Sequence, residues 1–180
     1  ADLDCQFPGC SELGAAAWEQ IAAQELKLLV GRALAALDAG DMDTARLSVI
    51  EAVALAPDHP AVLDAQAQVE KRMLEIRILA LRQKAEQQQE LERWKEAHQT
   101  WLEIEALDPD APWVMEGLTR SLRWAVIDEK LTNGLKNPGG KRAGQWVKEF
   151  ADREGWPVAL SAKADRLAAE WEAWTTPVRV

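Results

Sequence analysis

The residue types that most enzymes use for chemistry are scarce in this sequence, which has two histidines, two cysteines and no tyrosine. His59 lies in a turn and His98 on a helix, where it is expected to face solvent, so the two do not suggest a shared catalytic site. A phosphate-binding loop is also missing, because Gly139, Gly140 and Lys141 lack the upstream Gly and the following Ser or Thr of that motif. The sequence therefore predicts a protein that is not an enzyme and that uses no metal or other cofactor.

Long apolar runs and basic residues are the next deficits. No run approaches the roughly 18–20 apolar residues that a membrane-spanning helix needs, so we expect no span within this sequence. Lys and Arg number 21 against 30 Asp and Glu, a formal net charge of −9 that argues against nucleic acid as a partner. The acidic excess lies in residues 1–60, which makes Glu19 and Glu25 candidate contacts for a basic segment of a protein partner. The alternative is that these acids only keep the protein soluble.

A short stretch occurs twice and organises the rest of the chain. Residues 57–63 and residues 109–115 both begin Pro-Asp-x-Pro, and the two copies are 52 residues apart. The same spacing relates five pairs upstream of these turns: Leu29 and Leu81, Ala33 and Ala85, Ala45 and Ala97, Glu51 and Glu103, and Leu55 and Leu107. A fixed period of this size, rich in Ala and Leu, is typical of a helical repeat array.

Hydrophobic periodicity predicts about seven helices, the first and third of them unusually long. They are expected at 11–38, between Asp41 and Pro57, at 61–92, around Ala97, at 113–132, at 142–154 and at 158–174. The Gln-rich residues 83–90 are expected to be helical and solvated, since good helix formers flank them on both sides. Asn133, Gly134 and the residues from Asn137 to Gly140 are helix breakers, so a mobile loop is predicted at 132–141.

This arrangement resembles the tetratricopeptide repeat family, in which small residues lie where two helices cross closely and a Leu-x-Pro ends the second helix. The matching residues are Ala33, Gly40, Ala45, Ala52, Leu55 and Pro57 in the first copy, and Leu81, Ala85, Ala97, Trp101, Leu107 and Pro109 in the second. The family's first-helix Trp and its Leu-Gly pair are missing from both copies. The resemblance covers about residues 26–115 and implies an all-α array over 11–131, followed by a C-terminal helical pair at 142–174.

The two ends of the sequence differ from the middle. Residues 1–10 read as an irregular lead-in, where Cys5 and Cys10 form either a small disulfide loop or two free thiols. Residues 175–180 alternate β-branched residues and are expected to begin a strand of a following β domain. The two Pro-Asp-x-Pro turns and this ending resemble the periplasmic repeat regions of proteobacterial proteins anchored in the inner membrane. That resemblance implies a periplasmic location.

Tryptophan is the one abundant large side chain, with nine copies. Trp101, Trp124, Trp146 and Trp171 are expected in the core, whereas Trp113 and Trp174 are candidates for exposure and for contact with a partner. The predicted function is a non-catalytic scaffold or adaptor that presents a groove to a protein partner. The alternative is a spacer that self-associates and holds a β domain away from a membrane anchor. A third possibility, an enzyme or small-ligand receptor with a pocket between the long helices, lacks a convergent polar cluster.

Overall fold

The computed structural model of the chain describes the backbone of residues 10–176 and the side chains of residues 17–176. Every regular element in that range is a helix, and the range contains seven: α1 (Cys10–Ala39), α2 (Met42–Leu55), α3 (Pro60–Glu90), α4 (Trp94–Leu107), α5 (Pro112–Lys136), α6 (Lys141–Glu149) and α7 (Val158–Thr175). The prediction of an all-α protein with about seven helices is confirmed. The first and third helices are long, at 30 and 31 residues.

Local sequence signals set several helix ends. Gly40 separates α1 from α2 with a φ of 78°, a left-handed conformation that glycine adopts without strain. Asp41 then caps α2, because its Oδ1 accepts the backbone N–H of Thr44 at 3.1 Å. Hydrogen bonds from the side chain and then the backbone of Thr44 lower the pKa of Asp41 below its usual 3.8. Pro60 and Pro112 each occupy the first position of a long helix, where a missing N–H costs nothing.

The chain divides into two compact units, with the boundary between Ile76 and Arg77 inside α3. In the first unit, α1 packs against α2, and the first half of α3 contributes to the same core. Its core is made mostly of small and β-branched side chains: Ala33, Ala36, Ala45, Val49, Ala65 and Val69, with a neighbouring cluster of Leu26, Ala52 and Val62. Ala33 and Ala45 are completely buried, as a close crossing of two helices requires.

The second unit contains the rest of α3 and helices α4 to α7. One core cluster joins α3, α4 and α5 through Ala85, Trp101, Ile104, Ala111, Val114 and Leu118. The other joins α4 to α7 through Trp94, Trp124, Ala125, Leu131, Ala143, Phe150, Leu160, Ala164 and Leu167. Trp101 and Trp124 are buried as expected, whereas Trp146 and Trp171 are only partly buried. Aromatic rings therefore fill much of the core of this unit.

The 52-residue spacing recurs in the helix boundaries. α2 begins at Met42 and α4 at Trp94, and these helices end at Leu55 and Leu107. Burial follows the same spacing, since three pairs of identical residues are buried in both copies: Ala33 and Ala85, Ala45 and Ala97, and Val62 and Val114. The expectation that Ala45 and Ala97 are buried is confirmed. Even the backbone of the intervening turn matches, because Glu92, 52 residues after Gly40, also has a positive φ, of 54°.

The loop predicted at 132–141 is wrong in its extent. α5 continues through Gly134 to Lys136, and only residues 137–140 form a turn. Gly134 is buried in this helix, where a Cβ would lie 2.8 Å from the side chain of Leu167. This glycine therefore allows close helix packing and does not reverse the chain. The local sequence does not distinguish between these two roles of glycine.

Three further predictions need correction, and three others stay open. α6 ends at Glu149 rather than at residue 154, and Thr175 ends α7 rather than beginning a strand. His98 is half-buried, with its Nδ1 3.3 Å from the Oγ of Ser121, and does not face solvent freely. Residues 1–9 and 177–180 lie outside the described residues, as does the side chain of Cys10. The irregular lead-in, the cystine joining Cys5 to Cys10 and the terminal strand stay predictions.

Candidate binding groove

A small polar groove lies in the second unit, where the end of α3, the middle of α4 and the start of α5 meet. Its volume is about 150 Å³, and it is lined by Arg82, Glu86, Gln89, Trp101, Trp113, Glu116, Gly117 and Arg120. One of these residues, Trp113, is a partner-binding residue that the sequence predicts. Trp113 and the charged side chains around it make this groove the candidate site.

Trp101 on α4 is the most buried large residue of the groove, with 4% of its surface exposed. It packs against Gly117 of α5, where a Cβ would lie within 2.7 Å of three atoms of the Trp101 ring. No residue with a side chain fits at position 117 unless the ring or the helix moves. The Trp101–Gly117 contact therefore brings α4 and α5 close together and fixes the position of the indole.

Trp113 at the start of α5 is half-buried, so the prediction that it is exposed is only partly right. Its ring meets that of Trp101 edge to face, with centroids 6.0 Å apart and an interplanar angle of 66°. The guanidinium carbon of Arg82 lies 4.9 Å from the Trp113 centroid, within the range of a cation–π interaction. Two helices thus hold Trp113 in place, and a rigid aromatic side chain loses little entropy when it binds a partner.

Charged side chains of opposite sign surround the groove. Nε of Arg82 lies 2.8 Å from a carboxylate oxygen of Glu86, and Arg120 pairs with Glu116. Each pair joins two residues four positions apart on one helix and is largely exposed, so each contributes roughly 0–1 kcal/mol to stability. The four formal charges cancel. Such weak pairs can rearrange around a ligand at little cost.

The groove also holds hydrogen-bond donors that are not used. Nε1 of Trp101 and Nε2 of Gln89 are both buried, and neither has an acceptor among the described residues. The neighbouring Gln88 is different, because its Oε1 accepts the hydroxyl of Thr100 at 2.8 Å. A buried donor without a partner costs roughly 1–3 kcal/mol, so these two nitrogens are expected to reduce the stability of the second unit.

The other residues that the sequence predicts for partner binding are not part of this groove. Trp174 is exposed near the end of α7, where a Cβ on Gly139 would touch its ring. The prediction that it is exposed is confirmed. Glu19 and Glu25 are exposed on α1 in the first unit. Their role in binding stays a prediction.

Sequence reasoning missed Arg82, Gln89 and Arg120, although one signal was available. Positions 52 residues before Trp101 and Gly117 hold Val49 and Ala65, which belong to one core cluster of the first unit. In the second copy the larger Trp101 replaces Val, and the smaller Gly117 replaces Ala. Such a paired change is expected when two contacting positions share a fixed volume. That paired change marks one place where the packing of the two copies differs.

The described residues show neither a metal cluster nor a membrane helix. They contain no group of three or more His, Cys, Asp or Glu side chains that could hold a metal ion. No helix between residues 10 and 176 combines the length and the hydropathy needed to cross a bilayer. Comparison of the chain with protein-family models, curated proteins and solved structures finds no match. Its function is therefore inferred from the geometry of the groove.

Proposed function

We propose that this chain is a non-catalytic scaffold that binds a segment of a partner protein in the groove of its second unit. The observation that supports this proposal is the half-buried Trp113, whose ring contacts Trp101 and Arg82 in the groove. A partly exposed indole with weak ion pairs beside it offers a peptide both an aromatic contact and polar groups.

Tryptophan and arginine are the residues that most often dominate binding energy at protein interfaces, especially where neighbouring groups exclude water. Here Arg82 contacts Trp113, and Trp113 contacts the more deeply buried Trp101. The resemblance to the tetratricopeptide repeat family points to the same class of function. Within this proposal, the chain is a periplasmic region of a protein anchored in the inner membrane, and its acidic first 60 residues attract a basic part of the partner.

A display library of random twelve-residue peptides tests the proposal. Peptides selected on the 180-residue chain are expected to lose at least about 30-fold in affinity for the Trp113→Ala variant, since truncating an interface hot spot costs about 2 kcal/mol or more. Trp18→Ala removes an exposed tryptophan of the first unit and is the matched control, for which affinity should not change. Circular dichroism checks that both variants stay folded. Selected peptides that bind both variants equally well would exclude the groove as the binding site.

A second candidate function, a self-associating spacer, is favoured by a different observation. The first unit exposes several large apolar side chains on α1 and α2, among them Trp18 at 72%, Leu28 at 69% and Leu47 at 59%. Exposed apolar surface is often covered by a second copy of the same chain. Light scattering after gel filtration should then show a dimer that Leu28→Lys with Leu47→Lys converts to a monomer. A wild-type chain that stays monomeric at about 1 mM, where only very weak association escapes detection, would contradict self-association.

A further inference from the structure

We propose that the first unit binds a free fatty acid, with the acyl chain in an apolar cleft of that unit and the carboxylate beside Lys27. This inference goes beyond the proposed function, which concerns the groove of the second unit. Three features of the described residues support it: the apolar lining of the cleft, the unpaired cation on that lining, and the contrast with the second copy of the repeat.

The cleft lies between the middle of α1 and the turn that joins α2 to α3. Its volume is about 440 Å³, and it is lined by Ala22, Ala23, Leu26, Lys27, Val30, Leu55, Ala56, His59 and Ala61. Most of these side chains are apolar, and Leu55 and Ala61 are exposed to solvent. Small-ligand sites typically have this size and this composition, with a few polar groups that fix the orientation of the ligand. An apolar chain in the cleft would remove its own surface and part of the lining from water.

Lys27 determines which charge the ligand should carry. It is exposed, it contributes the one formal charge among the described lining residues, and it forms no ion pair within residues 17–176. His59 adds a donor, because its Nδ1 accepts the N–H of Ala61 at 3.2 Å and the neutral ring then carries its proton on Nε2. Glu19 and Glu25 of α1 are not part of the lining. The group beside Lys27 should therefore be an anion that accepts hydrogen bonds, as a carboxylate does.

An acyl chain suits this lining better than a segment of peptide does. The main chain of a peptide brings an N–H and a C=O group with almost every residue, and burying either without a hydrogen-bond partner costs free energy. Among the side chains of the lining, only Lys27 and His59 can supply such partners. An acyl chain has no polar group beyond its head, and each methylene group that it buries adds to its affinity.

The second copy of the repeat lacks this combination of residues. Trp113 lies 52 residues after Ala61, and Leu79 lies 52 residues after Lys27. Trp113 packs against the core of the second unit, with its ring next to that of Trp101. The first copy thus has a small side chain where the second has an indole, and a cation where the second has an apolar residue. Placing an indole at position 61 is therefore expected to fill the cleft.

The test titrates the 180-residue chain, labelled with ¹⁵N, with octanoate and decanoate below the concentrations at which they form micelles. The backbone amide resonances of Leu26 and Val30 should move to saturating values. Decanoate should bind about 4- to 15-fold more tightly than octanoate, the gain expected for half to full burial of two more methylene groups. Ala61→Trp should abolish binding of both acids. Ala67→Trp places the same ring at an exposed position of α3 and is the matched control, for which affinity should not change.

The head group is tested with octanol, which has a hydroxyl group in place of the carboxylate. Lys27→Met should weaken octanoate about 2- to 5-fold, as expected for an exposed ion pair, and should leave the affinity for octanol unchanged. Lys71→Met, another exposed lysine of the first unit, should change neither affinity. Circular dichroism checks the fold of each variant, and the surface change at Lys27 keeps the test valid if Ala61→Trp does not fold.

Three results would overturn the inference. Resonances of Leu26 and Val30 that neither acid moves would exclude a fatty acid from the cleft. Equal binding of decanoate to the wild type and to a folded Ala61→Trp variant would place the acid elsewhere. Unchanged affinity of Lys27→Met for octanoate would show that the cation does not contact the carboxylate. A wild-type dimer that Ala61→Trp converts to a monomer, measured by light scattering without fatty acid, would show instead that a second copy covers the cleft.

Discussion

Replacing Gly117 by alanine tests the packing that forms the groove. A glycine inside a helix costs about 1 kcal/mol relative to alanine, so Gly→Ala at an open helical position should stabilise the protein. Gly31 on α1 is such a position, because the described residues place no heavy atom within 4 Å of an added Cβ. We expect Gly31→Ala to raise the free energy of unfolding by roughly 0.5–1 kcal/mol.

Gly117→Ala makes the same chemical change where a Cβ would lie within 2.7 Å of the buried Trp101 ring. Overpacking of this kind costs roughly 1–3 kcal/mol, which the gain in helix propensity only partly offsets. We therefore expect Gly117→Ala to lower the free energy of unfolding by about 0–2 kcal/mol. Gly31→Ala and Gly117→Ala should then differ in this free energy by about 1–3 kcal/mol.

Urea unfolding followed by circular dichroism measures both changes. Tryptophan fluorescence reports mainly the second unit, because eight of the nine tryptophans follow Ile76 and only Trp18 precedes it. If the units unfold in separate transitions, each variant is compared with the wild type in its own transition. Gly117→Ala that stabilises the protein as much as Gly31→Ala would refute the close Trp101–Gly117 contact.

Three further predictions concern the helix crossings and caps. Ala97→Leu should destabilise the second unit by about 1–3 kcal/mol in urea unfolding, because position 97 is completely buried, and an unchanged midpoint would refute the close crossing of its helices. Glu92→Ala should cost about 1 kcal/mol, since a carboxylate oxygen of Glu92 accepts the N–H of Ala159 at 3.0 Å in the first turn of α7; hydrogen exchange at that amide checks this, and unchanged protection would contradict it. Because the pKa of Asp41 is lower in the folded than in the unfolded chain, its charged form stabilises the fold. That stabilisation is fully present at a pH above the pKa of the unfolded chain and is lost as the pH falls through the pKa of the folded chain. The Tm of Asp41→Asn, which keeps a good N-cap residue, should therefore change less with pH below about 4 than the Tm of the wild type. An equal pH dependence of the two Tm values would contradict the assigned hydrogen bonds with Thr44.

Most of the fold could be predicted because its determinants are local. Apolar spacing, the prolines at 60 and 112, and Gly40 set helix positions to within a few residues. The errors arose where a residue acts through contacts with another helix. Gly134 reads as a breaker but allows Leu167 to pack against α5, and the sequence of α5 alone does not contain that contact.

The groove was less predictable than the fold. Trp113 was identified by its type and its place at a helix start, but Gln89 lies in a Gln-rich stretch whose members look alike in sequence. What distinguishes Gln89 from Gln88 is its environment, because Oε1 of Gln88 accepts the hydroxyl of Thr100, whereas Nε2 of Gln89 has no acceptor in the described chain. Such a difference depends on tertiary structure and cannot be read from helical periodicity.

A crystal structure of the chain with a peptide selected from the library would test the central claim most directly. The quantity to measure is the distance from the ring of Trp113 to the nearest peptide atom. The proposal predicts a contact within about 4.5 Å between that ring and a side chain of the peptide. A peptide bound elsewhere, with no atom in contact with Trp113, would contradict it.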